Sequence, residues 1–254
     1  MEVYVGQFVL FLLLFVRITS MIVVAPLLGH QSVPVYVKVG LGMFLSFVLY
    51  PLMAGKAHVD LQLFAFIVAV LQEAAVGLLI GFATGLLFAG VRFAGELVSV
   101  HMGLSFATML DPESNQNNAV IGEFLYLFTA LIFILMNGHH FLLEALYLSY
   151  SAVPIASFSF SSVAGGKLID LSAMVFVIGV KFAAPVIVAM FINNVALAIL
   201  SKVVPQMNIF SVSFPLNIGV GLLVLMTTAP LVVYVFKKSL SVFESNVLEL
   251  IRLL

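Results

Sequence analysis

The sequence predicts an all-α, polytopic membrane protein, and three observations carry that prediction. Of the 254 residues, 63% are hydrophobic and 8% charged, where a soluble domain carries about 25% charge. The mean hydropathy is +1.26. The apolar residues also gather into runs of the length, about 20 residues, that spans a hydrocarbon core of roughly 30 Å as a helix.

Taken in order, six runs qualify as spans. Phe8 to Leu28 is the first and carries Arg17; the chain starts Met1-Glu2 without a cationic leader, so this run reads as a retained span. Val39 to Met53 is short, bounded by Lys38 and by Pro51 with Gly55-Lys56. Leu61 to Val91 is too long for one perpendicular crossing, so it tilts, kinks or projects from the bilayer. Ala119 to Met136 runs through Asn137-Gly138-His139-His140 into Phe141 to Val153. Leu171 to Ile192 contains Lys181 and Pro185, and Phe214 to Phe236 contains Pro230 and ends at Lys237-Lys238. Each internal proline frees a carbonyl four residues back, Lys181 and Met226, and predicts a kink. Leu240, Phe243, Val247, Leu250 and Leu254 then recur at three- and four-residue spacing, predicting an amphipathic tail helix docked on a partner or lying at the interface.

Composition excludes several function classes. A net charge of -1 leaves no basic surface for nucleic acid, and with no cysteine there are no disulfides, thiol nucleophiles or Cys-ligated metals. Tryptophan is absent too, so the tyrosines near span ends (Tyr4, Tyr36, Tyr50, Tyr126, Tyr147, Tyr150 and Tyr234) are expected to form the interfacial belts. Lys56, Lys167, Lys237, Lys238 and Arg252 on one side against Lys38, Arg92 and Lys202 on the other lean toward cytoplasmic termini.

Charges inside apolar runs single out Arg17, Glu73 and Lys181, since one charge at a bilayer centre costs about 2.5–3.5 kcal/mol. They must face protein or water. Two readings stay open: ion pairs that fix helix register, or a proton- or ion-coupled transporter using Glu73 and Lys181. Gly77, Gly81, Gly85 and Ala89 form a small-residue stripe at every fourth position, fit for a close helix contact with another subunit or within the chain.

The stretch from Gly90 to Gly122 is the longest run of polar and small residues. Arg92 and Glu96 stand one turn apart and are expected to pair with each other or with a neighbouring subunit. Gly103 interrupts the helical pattern, and Asp111-Pro112 has the form of an N-cap followed by proline at the first helical position. His140 and Glu144, four apart, with His139 or His101 are weak metal ligands, and hydrogen-bonded histidines at a helix end are the better account. Ser105 has no catalytic partners around it, and nothing reads as an enzyme or as a cofactor site.

Three stretches together resemble a known family. They are Arg92-x-x-Gly95-Glu96 leading to Met102-Gly103-x-Ser105-Phe106-Ala107 and Asp111-Pro112; Asn137-Gly138-His139-His140; and Pro205-Gln206-Met207-Asn208-Ile209-Phe210 followed by Phe214-Pro215-Leu216. The chain is similar along its whole length to the FliR/SctT family of type III export-gate proteins. That resemblance implies a non-enzymatic subunit of the flagellar protein export gate in the bacterial inner membrane, within the basal body and partly raised above the bilayer plane. It implies kinked helical hairpins, with a FliP-like region at 1–170, a FliQ-like hairpin at 171–236 and the tail at 237–254. The implied partners are FliP- and FliQ-like subunits, an FlhB-like switch protein and unfolded flagellar export substrates. The segment 101–118 is implied to plug the closed pore, with Met102, Gly103, Ser105, Phe106, Met109 and Asp111 in it. Its composition suits that role, since methionine adapts to irregular surfaces and the small residues keep a loop mobile; a connector packed on its own helices is the other reading. Pro205, Gln206, Met207, Asn208 and Phe210 are implied to form a hairpin tip facing the cytoplasmic entrance, against the lean of the charge count.

Overall fold

The computed structural model describes residues 2–53, 63–105, 120–206 and 208–254. Among the described residues every regular element is a helix: α1 Glu2–Val24, α2 Val35–Met53, α3 Leu63–His101, α4 Val120–Leu135, α5 Gly138–Ala152, α6 Ser162–Val203 and α7 Ile209–Leu253. Five are long and apolar enough to cross a membrane, and the pair α4 and α5, bent by 73°, has the composition of a broken span or a re-entrant loop.

Three helices outrun the spans expected from hydropathy. At 39, 42 and 45 residues, α3, α6 and α7 are each about 60 Å long or close to it, twice a hydrocarbon core. Apolar windows mark only the middle of such a helix. Its ends stay helical where they pack on the rest of the chain, as Phe243, Val247 and Leu250 do near the end of α7. Helices α6 and α7 run unbroken through Pro185, Pro215 and Pro230, as prolines in membrane helices can where neighbours re-satisfy the freed carbonyls. The break between α4 and α5 falls at Asn137, whose left-handed φ of 59° ends one helix and starts the next.

The chain divides into two compact units. The first gathers Met1–Leu86, Met136–Ser172 and Val242–Leu254. In it α2 lies on α1 where Gly42 leaves no room for a methyl, since a Cβ there would stand 2.5 Å from Thr19 Oγ1. Helix α3 lies on α1 through the glycine stripe: a Cβ on Gly77 would strike Ser20 Oγ and the Arg17 carbonyl, and one on Gly81 would lie 2.6 Å from the Met21 carbonyl. The stripe is therefore an intrachain helix contact. The tail also docks at home. Leu240, just ahead of this segment, is buried, as are Phe243, Val247, Leu250 and Ile251, while Lys167 pairs with Glu249 and donates to Asn246 Oδ1 at 2.7 Å. The expected separate tail helix is the continuous end of α7, held by its own chain; Leu254 is only half-buried.

The second unit gathers Leu87–Leu135 and Ala173–Ser241. Phe88 is its aromatic centre, edge-on to Tyr126, Phe133 and Phe236 at 5.6, 5.4 and 6.0 Å. Two glycine contacts set its helix spacing. Gly95 on α3 meets the backbone of Gly122 on α4, and Gly179 on α6 receives the Phe93 ring, which stacks edge-on to Phe176 at 5.4 Å.

Candidate functional site

The strongest polar site is built around Arg17 in the first unit. Its Nε donates to Glu73 Oε2 at 2.6 Å and its Nη2 to Glu73 Oε1 at 3.0 Å, a two-pronged pair across α1 and α3. Nη1 reaches the Ser149 carbonyl at the end of α5, and Nη1 and Nη2 both reach the Val153 carbonyl, each at 3.1 Å. The guanidinium also lies 4.4 Å over the Tyr150 ring. Glu73 in turn accepts from the Ala156 N–H at 3.0 Å, so the pair fixes the turn after α5, where Ala156 holds a left-handed φ of 60°. Arg17 is 0% and Glu73 1% exposed. A charge pair this deep is tolerable because each guanidinium nitrogen and each carboxylate oxygen has a partner.

Lys181 stands in contrast. It is exposed on the face of α6 and forms no ion pair among the described residues. Within the second unit, α6 turns Phe182, Ala183 and Val186 to the core and leaves Lys181 outside.

Arg92 and Glu96 do not pair. Arg92 Nη2 stands 3.6 Å from Glu123 Oε2 on α4, with its guanidinium 4.1 Å above the Tyr126 ring. The Gly95–Gly122 contact explains this, because it draws the first turn of α4 onto α3 and delivers Glu123 to Arg92. Arginine preceding glutamate by four is also the weaker order for a pair along one helix. Glu96 is exposed and makes no ion pair among the described residues. Tyr126 and Tyr150 therefore serve as cation seats inside the protein, not as the belt residues expected.

The end of α3 is closed with a Schellman motif. Gly103, at φ +80°, donates to the Val100 carbonyl at 3.1 Å while Leu104 donates to the Ser99 carbonyl at 3.0 Å. Gly103 is thus a fixed helix stop, not a source of loop mobility; a Cβ there would also stand 3.3 Å from the Phe214 ring. Met102 is 0% exposed and lies on Gly221 of α7, where a Cβ would come within 2.6 Å of its Cγ. Met102 anchors the end of α3 within the second unit and is withdrawn from any open surface. Ser105 is half-buried. Phe106, Met109 and Asp111 lie outside the described residues.

The connection between α6 and α7 is short. Pro205 and Gln206 form an exposed turn and Asn208 is exposed, while Met207 and the Phe210 side chain lie outside what is described. Asn193 donates to Asn217 Oδ1 at 2.6 Å across the two helices, a polar clasp the sequence reading missed. Amides within two facing apolar runs were the available signal. His139 and His140 sit exposed in the first turn of α5 with rings 4.3 Å apart, and among the described residues no three ligands gather for a metal.

Fold and site together define a polytopic all-helical membrane protein with overlong helices, a buried ionic staple and no assembled catalytic set among the described residues. Residues 8–242 match the family described as bacterial export proteins, family 1. The chain belongs to that family. Similar proteins include the flagellar biosynthetic protein FliR of Escherichia coli (strain K12), 34% identical over 85% of this chain and 82% of the relative. Those of Bacillus subtilis (strain 168), 29% identical over 100% and 98%, and Aquifex aeolicus (strain VF5), 32% identical over 89% and 88%, are similar as well.

Proposed function

We propose that this chain is a non-enzymatic component of the flagellar protein export apparatus, acting in the bacterial inner membrane as part of the path for unfolded export substrates. The observation that carries this reading is the near full-length match to FliR proteins. The geometry supports it. Helices about twice as long as a hydrocarbon core is thick, with apolar residues such as Phe64, Phe82 and Phe191 exposed along them, suit a chain that completes its surface in an assembly.

In this reading the partners are FliP- and FliQ-like gate subunits and an FlhB-like switch protein. The region 1–170 serves as the FliP-like part, the hairpin 171–236 as the FliQ-like part, and 237–254 as the tail that returns to the first unit. The segment following the Gly103 stop acts as the pore plug. An ion-coupled transporter is not favoured, because Glu73, one of the two charges it would use, is buried and held in a two-pronged pair by Arg17.

Co-expression with the neighbouring gate genes tests the assignment. The expected result is one detergent-stable complex containing all three types of subunit, and loss of swimming when the gene is deleted. A chain that purifies alone under those conditions overturns it.

A further inference from the structure

Lys181 lies midway along the apolar run from Leu171 to Ile192, roughly 15 Å from either end at 1.5 Å per residue. That is too far for its four-carbon stem to carry the ammonium to a headgroup. It is exposed, as are Val177 four residues before it, Val188 seven after it and Ile192 eleven after it, positions that share its face of the helix. A bare ammonium at this depth is costly in lipid, which makes such residues rare on lipid-facing surfaces. A water-filled lumen is disfavoured by the valines and isoleucine around it, which offer water nothing to bond. The remaining surface that satisfies both the apolar flanks and the charge is another protein helix with a carboxylate.

We infer that the Lys181 face of α6 is an interface for a membrane-spanning helix of a different subunit, one that places an Asp or Glu at the depth of Lys181. This rests on the multi-subunit reading above. Glu73 and Glu123 are engaged by Arg17 and Arg92, so a second copy of this chain would have to offer another carboxylate, such as Glu96 or Glu144, and it is kept as an outcome of the test that overturns the inference.

The first step of the test leaves the lysine intact. A photoreactive benzoylphenylalanine at Val177 or Val188 is irradiated in the co-purified complex, which the absence of native cysteine also permits to be checked by thiol-specific labelling at the same positions. The expected adduct is with a membrane helix of another subunit, within one turn of an Asp or Glu. Lys181→Glu should then lower partner recovery at least tenfold, and the reciprocal acid-to-lysine change should restore it. An assembled complex that yields only lipid adducts, adducts to a second copy, or full partner recovery with Lys181→Glu overturns this inference alone. A wild-type chain that purifies alone overturns the export-gate reading and this one with it.

Discussion

At the scale of single residues, the fate of each charge follows from whether its hydrogen-bonding capacity is filled. Arg17 is surrounded by acceptors, so its charge is an asset only while Glu73 remains. Glu73→Leu leaves a buried guanidinium without its counter-ion and is expected to lower stability by about 3–5 kcal/mol, read as an earlier thermal transition of the purified chain. Adding Arg17→Leu should recover part of that loss, since no charge is then left buried; it cannot recover all, because the Val153 carbonyl loses both its donors. A double variant no better than the single one would show that the pair is not the unit of stability. Arg92 behaves differently. Its pair with Glu123 is longer and partly exposed, so its contribution is small and screened by salt.

At the scale of elements, glycine marks where helices touch. Gly95→Ala forces backbone apart from backbone at Gly122 and is expected to cost about 1–3 kcal/mol. Gly166→Ala, in α6 with open space around its Cβ position, should instead stabilise by about 0.4–1 kcal/mol through lost freedom of the unfolded chain. Equal effects of the two on thermal stability would count against the packing assigned to α3 and α4. The stripe at Gly77 and Gly81 was legible in the sequence as a close contact. Its partner, α1, was not, because spacing reports that a helix can be approached and says nothing of which helix approaches. Helix ends were the least legible feature. Hydropathy ended α6 and α7 with their apolar runs, whereas intrachain packing of Leu240, Phe243 and Val247 carries α7 to Leu253.

At the scale of the whole molecule, the plug role proposed for 101–118 is best tested beyond the Schellman stop. Gly103 and Leu104 close α3 and Met102 is locked on Gly221, so removing them would damage the second unit itself. Deleting residues 105–109 spares that closure and is expected to raise ion conductance through the assembled gate. Unchanged conductance with normal assembly would assign the segment to a connector. The export function was legible early, because the stretches around Arg92, Asn137 and Pro205 are specific to one family. The site was legible only as a set of charges.

The sequence by itself determined the class of this protein: the apolar runs require helices in a membrane, and the charges within them require company. Tertiary structure decided which company. Arg17 found Glu73 and two carbonyls, Arg92 found Glu123 and Tyr126, and Lys181 found no ion-pair partner among the described residues. The physical reason is that burial cost is a property of a residue and its depth, readable from one strand of text. Pairing depends on which helix faces the core, and that is set by the glycine contacts between segments far apart in sequence.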